Sequence, residues 1–420
     1  MASTSARCAT IGLRVVKTMV GGLAGLLAHR GITVFRANAA FHADEIAPAT
    51  SNHIVHLVPS PDQSDILTYH KADVPEPSGP TMDLTATNIV IATGAKPRPL
   101  PGNPFAGALI DSTQALEVNE FPSSAVIIGA GAIALEFASM WNAAGSKVTL
   151  LIRKDRVLSA WDRRAGTTLT RELKRHGVNI ITRASVTHVD TGANLGATVH
   201  YTREGQDGEQ SVWGEIALVA IGRDPITDPA WGVTIDDHGH VATDAYGRTD
   251  KPGVWAVGDV TAGHALAHRA FEQGIVIAET IAGLNPKPVD EATVPQIVFS
   301  FPEAASVGLT VEQAQAREDL IEIKETNYPM LANARMLMSG TAGSLTIVSG
   351  CDAANPDTPR VLGVHMVSQM ASDIIAEAEQ LVGNHVPLAD AARLVHPHPT
   401  FSETLGEALL KADGRPLHTR

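Results

Sequence analysis

The chain has 420 residues, of which 44% are hydrophobic and 18% charged, a composition typical of a globular protein. This length exceeds one ordinary hydrophobic core and predicts about two to four domains. The formal net charge of −13 argues against nucleic acid as a partner.

The N-terminal segment, residues 1–30, contains Ser, Arg and Lys but no acidic residue, a composition shared with targeting peptides. Its most apolar piece, residues 19–28, is too short to span a bilayer. The apolar residues Val15, Met19 and Leu23 recur at helical spacing, and Gly31 is a typical helix stop. We therefore predict an amphipathic helix and no membrane partner, in preference to a targeting peptide.

The next part of the chain reads as strands and loops. We predict a strand over residues 32–36, weaker β patterns as far as about residue 69, an exposed loop over 71–82 and a buried strand over 88–92. The last of these strands leads directly into Thr93 and Gly94.

A dinucleotide fingerprint occupies residues 124–154. A buried strand over 125–128 is followed by GAGAIA, a helical pattern and a second strand over 147–152. Gly129 permits a tight turn, Gly131 lets the backbone approach a pyrophosphate, and Ala134 allows close packing of helix and strand. The free N–H groups at the helix start bind the anion. The alternative is a glycine-rich turn in an ordinary α/β protein, but the complete strand–turn–helix–strand order favours dinucleotide binding.

The end of the second strand addresses the choice of nucleotide. An acidic residue there would bond the ribose of NAD, but this chain has Ile152 followed by Arg153 and Lys154. Two cations at this position favour the 2′-phosphate of NADP over NAD. The alternative is a solvated basic pair on a loop.

The remaining chain first alternates between predicted helices and strands and then contains mainly longer strands. We predict helices over 164–176, 264–282, 371–381 and 388–394, a last helix ending at Lys411, and strands over 178–182, 186–190, 197–202, 215–221, 254–257, 296–300, 321–327, 344–349 and 361–366. The 17 histidines show no metal-ligand spacing, so no metal site is predicted. Cys8 and Cys351 form no local motif, which fits a reducing, cytoplasmic compartment.

Six motifs stand in a specific order: ATGAKPRPLPG, IIGAGAIALEFAS, VAIGRDP, VWAVGDVTAGHALAHRAFEQG, FSFPEAASVGLTVEQA and HPHPTFSETLGEA. This series resembles the pyridine nucleotide–disulfide oxidoreductases, and among them most of all the dihydrolipoamide dehydrogenases. The resemblance implies α/β architecture, with FAD/NAD(P)-binding Rossmann-like domains of three ββα layers and a C-terminal α+β dimerisation domain. The implied bounds are 1–117 and 241–292 for FAD, 118–240 for NAD(P) and 293–420 for dimerisation. A homodimer and membership of a 2-oxo acid dehydrogenase complex are the implied assemblies.

The resemblance also implies site residues. His398 matches the catalytic acid–base and Glu403 the carboxylate that orients it, which agrees with the chemistry of an imidazole beside a carboxylate. Without the family context, the His-Pro-His-Pro run would read as a rigid turn with exposed imidazoles, and His396 is interpreted as structural. The implied cofactor-binding residues are Thr93, Gly94, Asp259, Leu266, Ala267 and His268 for FAD, and Gly129, Ala130, Gly131, Ala132, Ile133, Glu136, Val186, Gly222 and Arg223 for NAD(P).

The chain departs from the family in two respects. No second GxGxxG motif stands ahead of Leu13, and no pair of cysteines is separated by four residues. We therefore expect an N-terminally truncated member with a weak or partial FAD site. The strands over 32–36, 88–92 and 254–257 would then expose apolar edges.

The expected function is an FAD-dependent NAD(P)H oxidoreductase that transfers hydride between nicotinamide and flavin. Without the cysteine pair, we expect it not to reduce lipoamide at a family-like rate. The alternatives are a flavin-only quinone reductase or transhydrogenase, and a catalytically inactive nucleotide-binding dimer.

Overall fold

The computed structural model describes residues 4–48, 50–70, 75–192 and 196–419. Its helices are α1 (Thr4–His29), α2 (Ser112–Leu116), α3 (Ala132–Ala143), α4 (Arg163–Arg175), α5 (Ala267–Ile281), α6 (Val311–Gln315), α7 (Ala334–Ser339), α8 (Ala371–Gly383), α9 (Leu388–Ala391) and α10 (Glu403–Ala412). Its strands are β1 (Val34–Arg36), β2 (Asn38–Ile46), β3 (His53–Val58), β4 (Leu67–Tyr69), β5 (Pro75–Pro77), β6 (Met82–Ala86), β7 (Ile89–Ile91), β8 (Ala95–Pro97), β9 (Leu109–Ile110), β10 (Ser124–Ile128), β11 (Lys147–Ile152), β12 (Asn179–Thr182), β13 (Ala184–Asp190), β14 (Ala197–Arg203), β15 (Gln210–Gly214), β16 (Ile216–Val219), β17 (Arg223–Pro225), β18 (Val254–Ala256), β19 (Gln296–Val298), β20 (Glu303–Gly308), β21 (Leu320–Pro329), β22 (Ser344–Asp352) and β23 (Asn355–Ser368).

The chain folds into two compact units. One consists of Met1–Lys96 and Asp224–Val289, and the other of Pro97–Arg223 and Asp290–Arg420. The predicted α/β class is confirmed. The finer domain bounds at residues 117, 240 and 292 stay a prediction.

The first unit is built from small sheets. Two of them are antiparallel, in the orders β1-β4-β5 and β2-β3-β6, and β7 and β18 form a parallel pair. Its buried cluster includes Ile91, Trp231 and Val254, with Phe41 stacked on Trp231 at a ring-centroid distance of 6.0 Å. The predicted strands over 88–92 and 254–257 are confirmed as β7 and β18.

The second unit contains a five-stranded parallel sheet in the order β12-β11-β10-β16-β9. Because side chains alternate along a strand, Ile127 and Leu150 pack on the face covered by α3, whereas Val126 and Leu151 pack with Val199 of the antiparallel β13-β14-β15 sheet. Each such fully buried aliphatic side chain contributes about 1.5–3 kcal/mol of hydrophobic stabilisation. The predicted three-layer ββα arrangement is confirmed here.

The C-terminal part of the second unit is a five-stranded antiparallel sheet in the order β19-β20-β23-β22-β21. Residues Ile347 and Val364 of this sheet share a buried cluster with Ile375 of α8 and Leu409 of α10. The predicted change to longer antiparallel strands is therefore confirmed. Strand β20 was not predicted, because its sequence, EAASVG, consists mostly of small residues with little strand preference.

One loop prediction is wrong. The loop expected over 71–82 contains strand β5, and Met82 already belongs to β6. Strand β5 pairs with β4 at the edge of its sheet, with Pro75 opposite Tyr69, and an edge strand tolerates proline because one side needs no backbone donor. Residues 71–74 lie outside the described part of the chain.

The N-terminal helix is confirmed, but the estimate of its apolar length is wrong. Within α1, the stretch Thr10–His29 has a mean hydropathy of 1.5 and is long and apolar enough to cross a bilayer. Leu13, Met19 and Leu23 are exposed. Signal sequences and core helices of soluble proteins share this length and composition. Composition alone therefore does not assign α1 to a membrane.

Candidate functional site

The predicted dinucleotide turn joins β10 to α3. Gly129 has a φ of 141°, and a Cβ atom there would lie 2.1 Å from the carbonyl oxygen of Ala220. Gly131 is the N-cap of α3, and among the described residues, its own chain neighbours aside, no atom lies within 4 Å of the place where its Cβ would be. The first glycine therefore permits a crowded turn, and the second leaves open space before the helix.

The start of α3 packs against the protein core but has no side-chain cap among the described residues. The carbonyl of Ala130 accepts a hydrogen bond from the Leu158 N–H at 3.0 Å, and Ala132 and Ile133 pack against the buried core of the parallel sheet. Among the described residues, no side chain caps the helix. Unpaired N–H groups at the N-terminus of a 12-residue helix are suited to a pyrophosphate, so this site fits a dinucleotide.

Glu136, in the second turn of α3, contacts the C-terminal sheet region. Its Oε1 atom accepts a hydrogen bond from the Phe299 N–H at 3.0 Å, and the Ser139 hydroxyl accepts one from the Phe301 N–H at 2.8 Å. Burial raises the pKa of Glu136, and the Phe299 N–H opposes that rise. The carboxylate therefore fixes α3 to the segment after β19.

Arg153 and Lys154 follow the last residue of β11 and are both exposed. Strands β10 and β11 are parallel, with Ile128 opposite Leu151, so the two cations lie at the same sheet edge as Gly129. Neither side chain forms an ion pair or hydrogen bond within the described part of the chain. Both cations are therefore available to a phosphate.

The other residues assigned to the nicotinamide nucleotide lie on β13 and after β16. Val186 is half-buried in the cluster between the parallel sheet and the β13-β14-β15 sheet. The Gly222 carbonyl accepts the Arg98 N–H at 3.0 Å, and the Arg98 guanidinium donates to the Arg223 carbonyl at 3.4 Å. Arg98 was not singled out in the sequence, where it stands far from this segment.

The residues assigned to FAD lie in the first unit, after β7 and β18. The Thr93 hydroxyl donates to the Ile226 carbonyl at 2.6 Å, and the Ile226 N–H donates to the Gly94 carbonyl at 2.9 Å. Asp259 lies in a short 3-10 helix directly after β18. Because β7 and β18 are parallel, Thr93 and Asp259 both follow the carboxyl ends of neighbouring strands.

The third group assigned to FAD lies at the start of α5. Leu266 is the N-cap residue, without a side-chain cap within the described ranges, and Ala267 and His268 are the first two residues of the helix. Ala267 and His268 are exposed. These residues are therefore candidates for one part of a flavin site.

The predicted acid–base pair is assembled at the C-terminus. His398 Nδ1 lies 2.7 Å from Glu403 Oε2, and the His398 side chain is 79% exposed. Because the carboxylate accepts this hydrogen bond, Nδ1 carries the proton and Nε2 faces away from Glu403. Glu403 is the first residue of α10, where a negative charge is favoured by the helix dipole.

Sequence reasoning missed one residue of this arrangement. The Asn333 side-chain amide donates to Glu403 Oε1 and to the Thr400 carbonyl, both at 2.9 Å. Glu403 is therefore held between His398 and Asn333. No sequence signal connects Asn333 to a motif some seventy residues further on, since only the fold brings α7 and α10 together.

His396, which the sequence suggested to be structural, has two partners of its own. Its Nε2 atom lies 2.9 Å from Glu377 and its Nδ1 atom 3.2 Å from the Leu394 carbonyl. The hydrogen bond to Glu377 raises the pKa of His396, and burial opposes that rise. His396 therefore ties the segment before α10 to α8.

Both cysteines are free thiols. Cys351 is buried in β22, and this burial raises the pKa of its thiol. A protonated, buried thiol is a poor nucleophile. Cys8 is exposed on α1.

The absence of a metal site, expected because the histidines show no metal-ligand spacing, stays a prediction, but the fold brings one group of possible ligands together. His188, Asp190 and His200 lie on β13 and β14, and their potential ligand atoms are all within 4.8 Å of one another. Sequence spacing concealed this group because the second histidine comes from the neighbouring strand.

Comparison with known proteins places the chain among flavin-dependent reductases. Residues 4–274 match the model of the pyridine nucleotide-disulphide oxidoreductase family, and residues 294–409 match the dimerisation domain of that family. The dihydrolipoyl dehydrogenase of Cupriavidus necator is 38% identical over 341 residues, which are 80% of this chain and 70% of that protein. The dihydrolipoyl dehydrogenase of Geobacillus stearothermophilus is 32% identical over 96% of this chain and 79% of its own length.

The chain is also similar to solved structures. LpdA from Mycobacterium tuberculosis is 25% identical, with a TM-score of 0.75 over 90% of this chain and 76% of its own. The HOCl-induced flavoprotein disulfide reductase RclA from Escherichia coli, as its Cu(II) complex, is 26% identical, with a TM-score of 0.70 over 82% and 76% of the two chains. The loss of an N-terminal segment stays a prediction.

Proposed function

The chain belongs to the pyridine nucleotide–disulfide oxidoreductase family and is a dihydrolipoyl dehydrogenase-like, FAD-dependent oxidoreductase; from this premise we propose that it oxidises NADPH and passes the electrons to an acceptor other than lipoamide. When bound, FAD supplies the redox chemistry between nicotinamide and acceptor. The observation that carries the proposal is the open turn at Gly129 and Gly131, which presents uncapped helix N–H groups.

Different residues of the chain would bind different parts of the nicotinamide nucleotide. The α3 N-terminus would hold the pyrophosphate, and Arg153 and Lys154 would hold the 2′-phosphate of NADP. Their exposure at the sheet edge beside Gly129 supports NADP, in preference to NAD. A carboxylate there would repel that phosphate and favour NAD.

For FAD, Asp259 would bind the ribityl chain and the start of α5 would lie beside the flavin ring. Thr93 and Gly94, which follow β7, are the remaining candidates. The sequence carries a single GxGxxG/A fingerprint, at residues 129–134. We therefore expect weak FAD binding. Titration of the purified protein with FAD, followed by flavin fluorescence, measures this affinity; retention of stoichiometric FAD through gel filtration would contradict it.

The His398–Glu403 pair would handle the proton that accompanies reduction of the acceptor. Glu403 and Asn333 fix the imidazole, and the exposed Nε2 atom can give or take a proton. Glu403→Gln should lower turnover with a quinone by roughly 10- to 100-fold. A matched control is Glu407→Gln on the same helix, which removes a similar pair with His418, 2.9 Å long, and should leave turnover unchanged.

The proposed exclusion of lipoamide depends on the two cysteines. They are 343 positions apart in sequence (351 minus 8), and the raised pKa of Cys351 keeps that thiol protonated. The protein should therefore oxidise NADPH with a quinone or ferricyanide but not, at a comparable rate, with lipoamide. Lipoamide reduction as fast as quinone reduction would refute this part of the proposal.

A second candidate function is a catalytically inactive nucleotide-binding dimer. The single dinucleotide fingerprint favours it, because that motif serves the nicotinamide nucleotide and not FAD. The two candidates differ in one simple measurement. A flavin absorption spectrum after purification, or after reconstitution with FAD, excludes the inactive dimer, whereas NADPH binding without any flavin supports it.

The dimerisation domain indicates a homodimer as the basic assembly. We place this dimer in the cytoplasm, free of membranes and nucleic acid, because of its free thiols and its net charge of −13. Membership of a 2-oxo acid dehydrogenase complex requires lipoamide as substrate, so the acceptor assay tests it as well. Recovery in the membrane fraction through α1 would contradict the cytoplasmic location.

A further inference from the structure

Two histidines and two carboxylates cluster on the outer face of the β13-β14-β15 sheet. His188 and His200 stack with a ring-centroid distance of 4.1 Å and an interplanar angle of 8°. Asp190 Oδ2 lies 3.1 Å from His200 Nε2 and 4.0 Å from His188 Nε2. None of these residues is among those assigned above to nucleotide binding or to the acid–base pair.

Strand register explains why these side chains meet. His188 and Asp190 are two residues apart on β13, so they point to the same face of the sheet. His200 is the residue of β14 directly opposite His188. An irregularity in the pairing at Thr187 separates this register from that of the preceding residues. The backbone therefore brings three possible ligand side chains together before anything binds.

Glu209 completes the cluster on the other edge of the imidazole rings. Its carboxylate oxygens lie 3.8 Å from His188 Nδ1 and 3.6 Å from His200 Nδ1, and one of them accepts a hydrogen bond from the Thr187 hydroxyl at 2.6 Å. A carboxylate facing the Nδ1 side of a histidine orients the ring and makes its Nε2 a better metal ligand. Both Nε2 atoms then face Asp190.

We propose that His188, His200 and Asp190 form a binding site for one divalent transition-metal ion, such as Zn²⁺, with Glu209 orienting the two imidazoles. Two imidazole nitrogens and one carboxylate suit Zn²⁺, Ni²⁺ or Cu²⁺, whereas Ca²⁺ and Mg²⁺ prefer oxygen ligands alone. Because the two rings stack nearly parallel, both must rotate before their Nε2 lone pairs converge on one ion at a metal–nitrogen distance of about 2.0–2.1 Å. Because His188 and Asp190 are exposed, water completes the coordination shell.

The test is calorimetric titration of the whole, EDTA-treated protein with ZnCl₂. We expect one equivalent to bind with micromolar affinity, and His188→Gln or His200→Gln to weaken binding by at least about tenfold. Calcium in large excess should not compete. Bound Cu²⁺ should show nitrogen hyperfine splitting in its electron paramagnetic resonance spectrum.

The matched control is His56→Gln. His56 is also an exposed imidazole between two carboxylates, 2.8 Å from Asp83 and 3.1 Å from Glu45, but it has no second histidine beside it in the described cluster. This variant should bind Zn²⁺ as the unmodified protein does. If a histidine variant fails to fold by circular dichroism, Asp190→Asn keeps the shape of the side chain and replaces it. Unchanged binding in folded His188→Gln and His200→Gln variants, or no binding by the unmodified protein, would overturn the proposal.

Discussion

The parallel strands of the two units have similar apolar sequences but differ in the size of their sheets and in the burial of their side chains. In the second unit, β10 and β11 lie inside a five-stranded sheet, and Ile127 and Leu150 are completely buried between layers. In the first unit, β7 and β18 form a sheet of only two strands among the described residues, with one further isolated bridge from Trp255 of β18 to Arg248, and Val90 remains 43% exposed. Residues assigned to a cofactor follow the carboxyl ends of the strands in both cases. The residues proposed to bind the nicotinamide nucleotide thus follow strands of a well-buried sheet, whereas those proposed to bind FAD follow strands of a small sheet.

Replacing Gly129 should give the largest effect, because it attacks the well-supported site at its most crowded point. Gly129→Ala places a Cβ atom 2.1 Å from the Ala220 carbonyl, at a φ of 141°. We expect the free energy of unfolding to fall by about 3 kcal/mol and NADPH affinity to fall by at least about 100-fold. Urea unfolding and fluorescence titration measure the two quantities.

The matched control for this change is Gly145→Ala. Gly145 also has a positive φ, of 98°, but no atom of the described chain beyond its two neighbouring residues lies within 4 Å of its added Cβ. It should lose only about 1 kcal/mol and retain NADPH binding. Equal losses in both variants would show that backbone strain, and not the contact with Ala220, determines the result.

Hydrogen exchange compares the two sheets directly. The amides of β7 should exchange at least about 100-fold faster than those of β10, because the two-stranded pair opens at a lower free energy than the five-stranded sheet. Mass spectrometry of exchanged peptides gives both rates in one experiment. If excess FAD slows exchange in β7, the flavin residues gain support from the cofactor; equal rates without FAD would refute the proposed difference in stability.

Arg153→Glu tests whether the edge of the nucleotide sheet selects NADP. The substitution removes a cation and adds a carboxylate at the position that distinguishes the two coenzymes. We expect NADPH affinity to fall by roughly tenfold and NADH affinity to rise. Lys147→Glu is the control, since Lys147 is an exposed cation at the first residue of β11, at the opposite end of the strand from Arg153. Unchanged preference in Arg153→Glu would identify the basic pair as ordinary surface charge.

The smallest effect concerns stability and pH. The hydrogen bond to Glu377 raises the pKa of His396, so its stabilisation is complete below the ordinary histidine pKa of about 6.5 and is lost as the pH rises through the folded value. His396→Gln should therefore destabilise the protein by about 1 kcal/mol in mild acid and less in mild alkali. Urea unfolding at both pH values tests the sign.

His56 of the first unit sharpens this last comparison. The hydrogen bonds to Asp83 and Glu45 also raise the pKa of His56, but its ring is exposed to water. His56→Gln should therefore change the pH dependence less than His396→Gln, because solvent screens exposed pairs. A larger change in pH dependence for His56→Gln than for His396→Gln would contradict this prediction.

Local sequence patterns were sufficient for much of this protein. The dinucleotide turn was predicted because its determinants are contiguous: a buried strand, two glycines with distinct tasks and a helix start. His398 and Glu403, five residues apart, were paired through the family resemblance and not through the local pattern, and the structure brings their side chains together. The parallel strands β10, β11 and β18 were predicted nearly to their ends because short, β-branched apolar runs have few other uses.

Other elements depended on partners distant in the chain. Strand β20 has little strand preference of its own and forms because β19 and β23 pair with both of its edges. Proline-rich β5 is a strand only as the edge partner of β4. In the same way, Asn333 reaches Glu403 and Arg98 reaches Arg223 across long sequence separations.

The sequence by itself determined the family, the α/β class and the strand–turn–helix arrangement around Gly129, because local spacing encodes backbone geometry and helix ends. Only the tertiary structure decided which side chains meet across strands: the pairing of His188 with His200, the support of Glu403 by Asn333, and the unequal burial of the two parallel sheets. The physical reason is that hydrogen bonds, metal ligands and hydrophobic contacts act through short distances in space, and pairing register, not sequence separation, sets those distances.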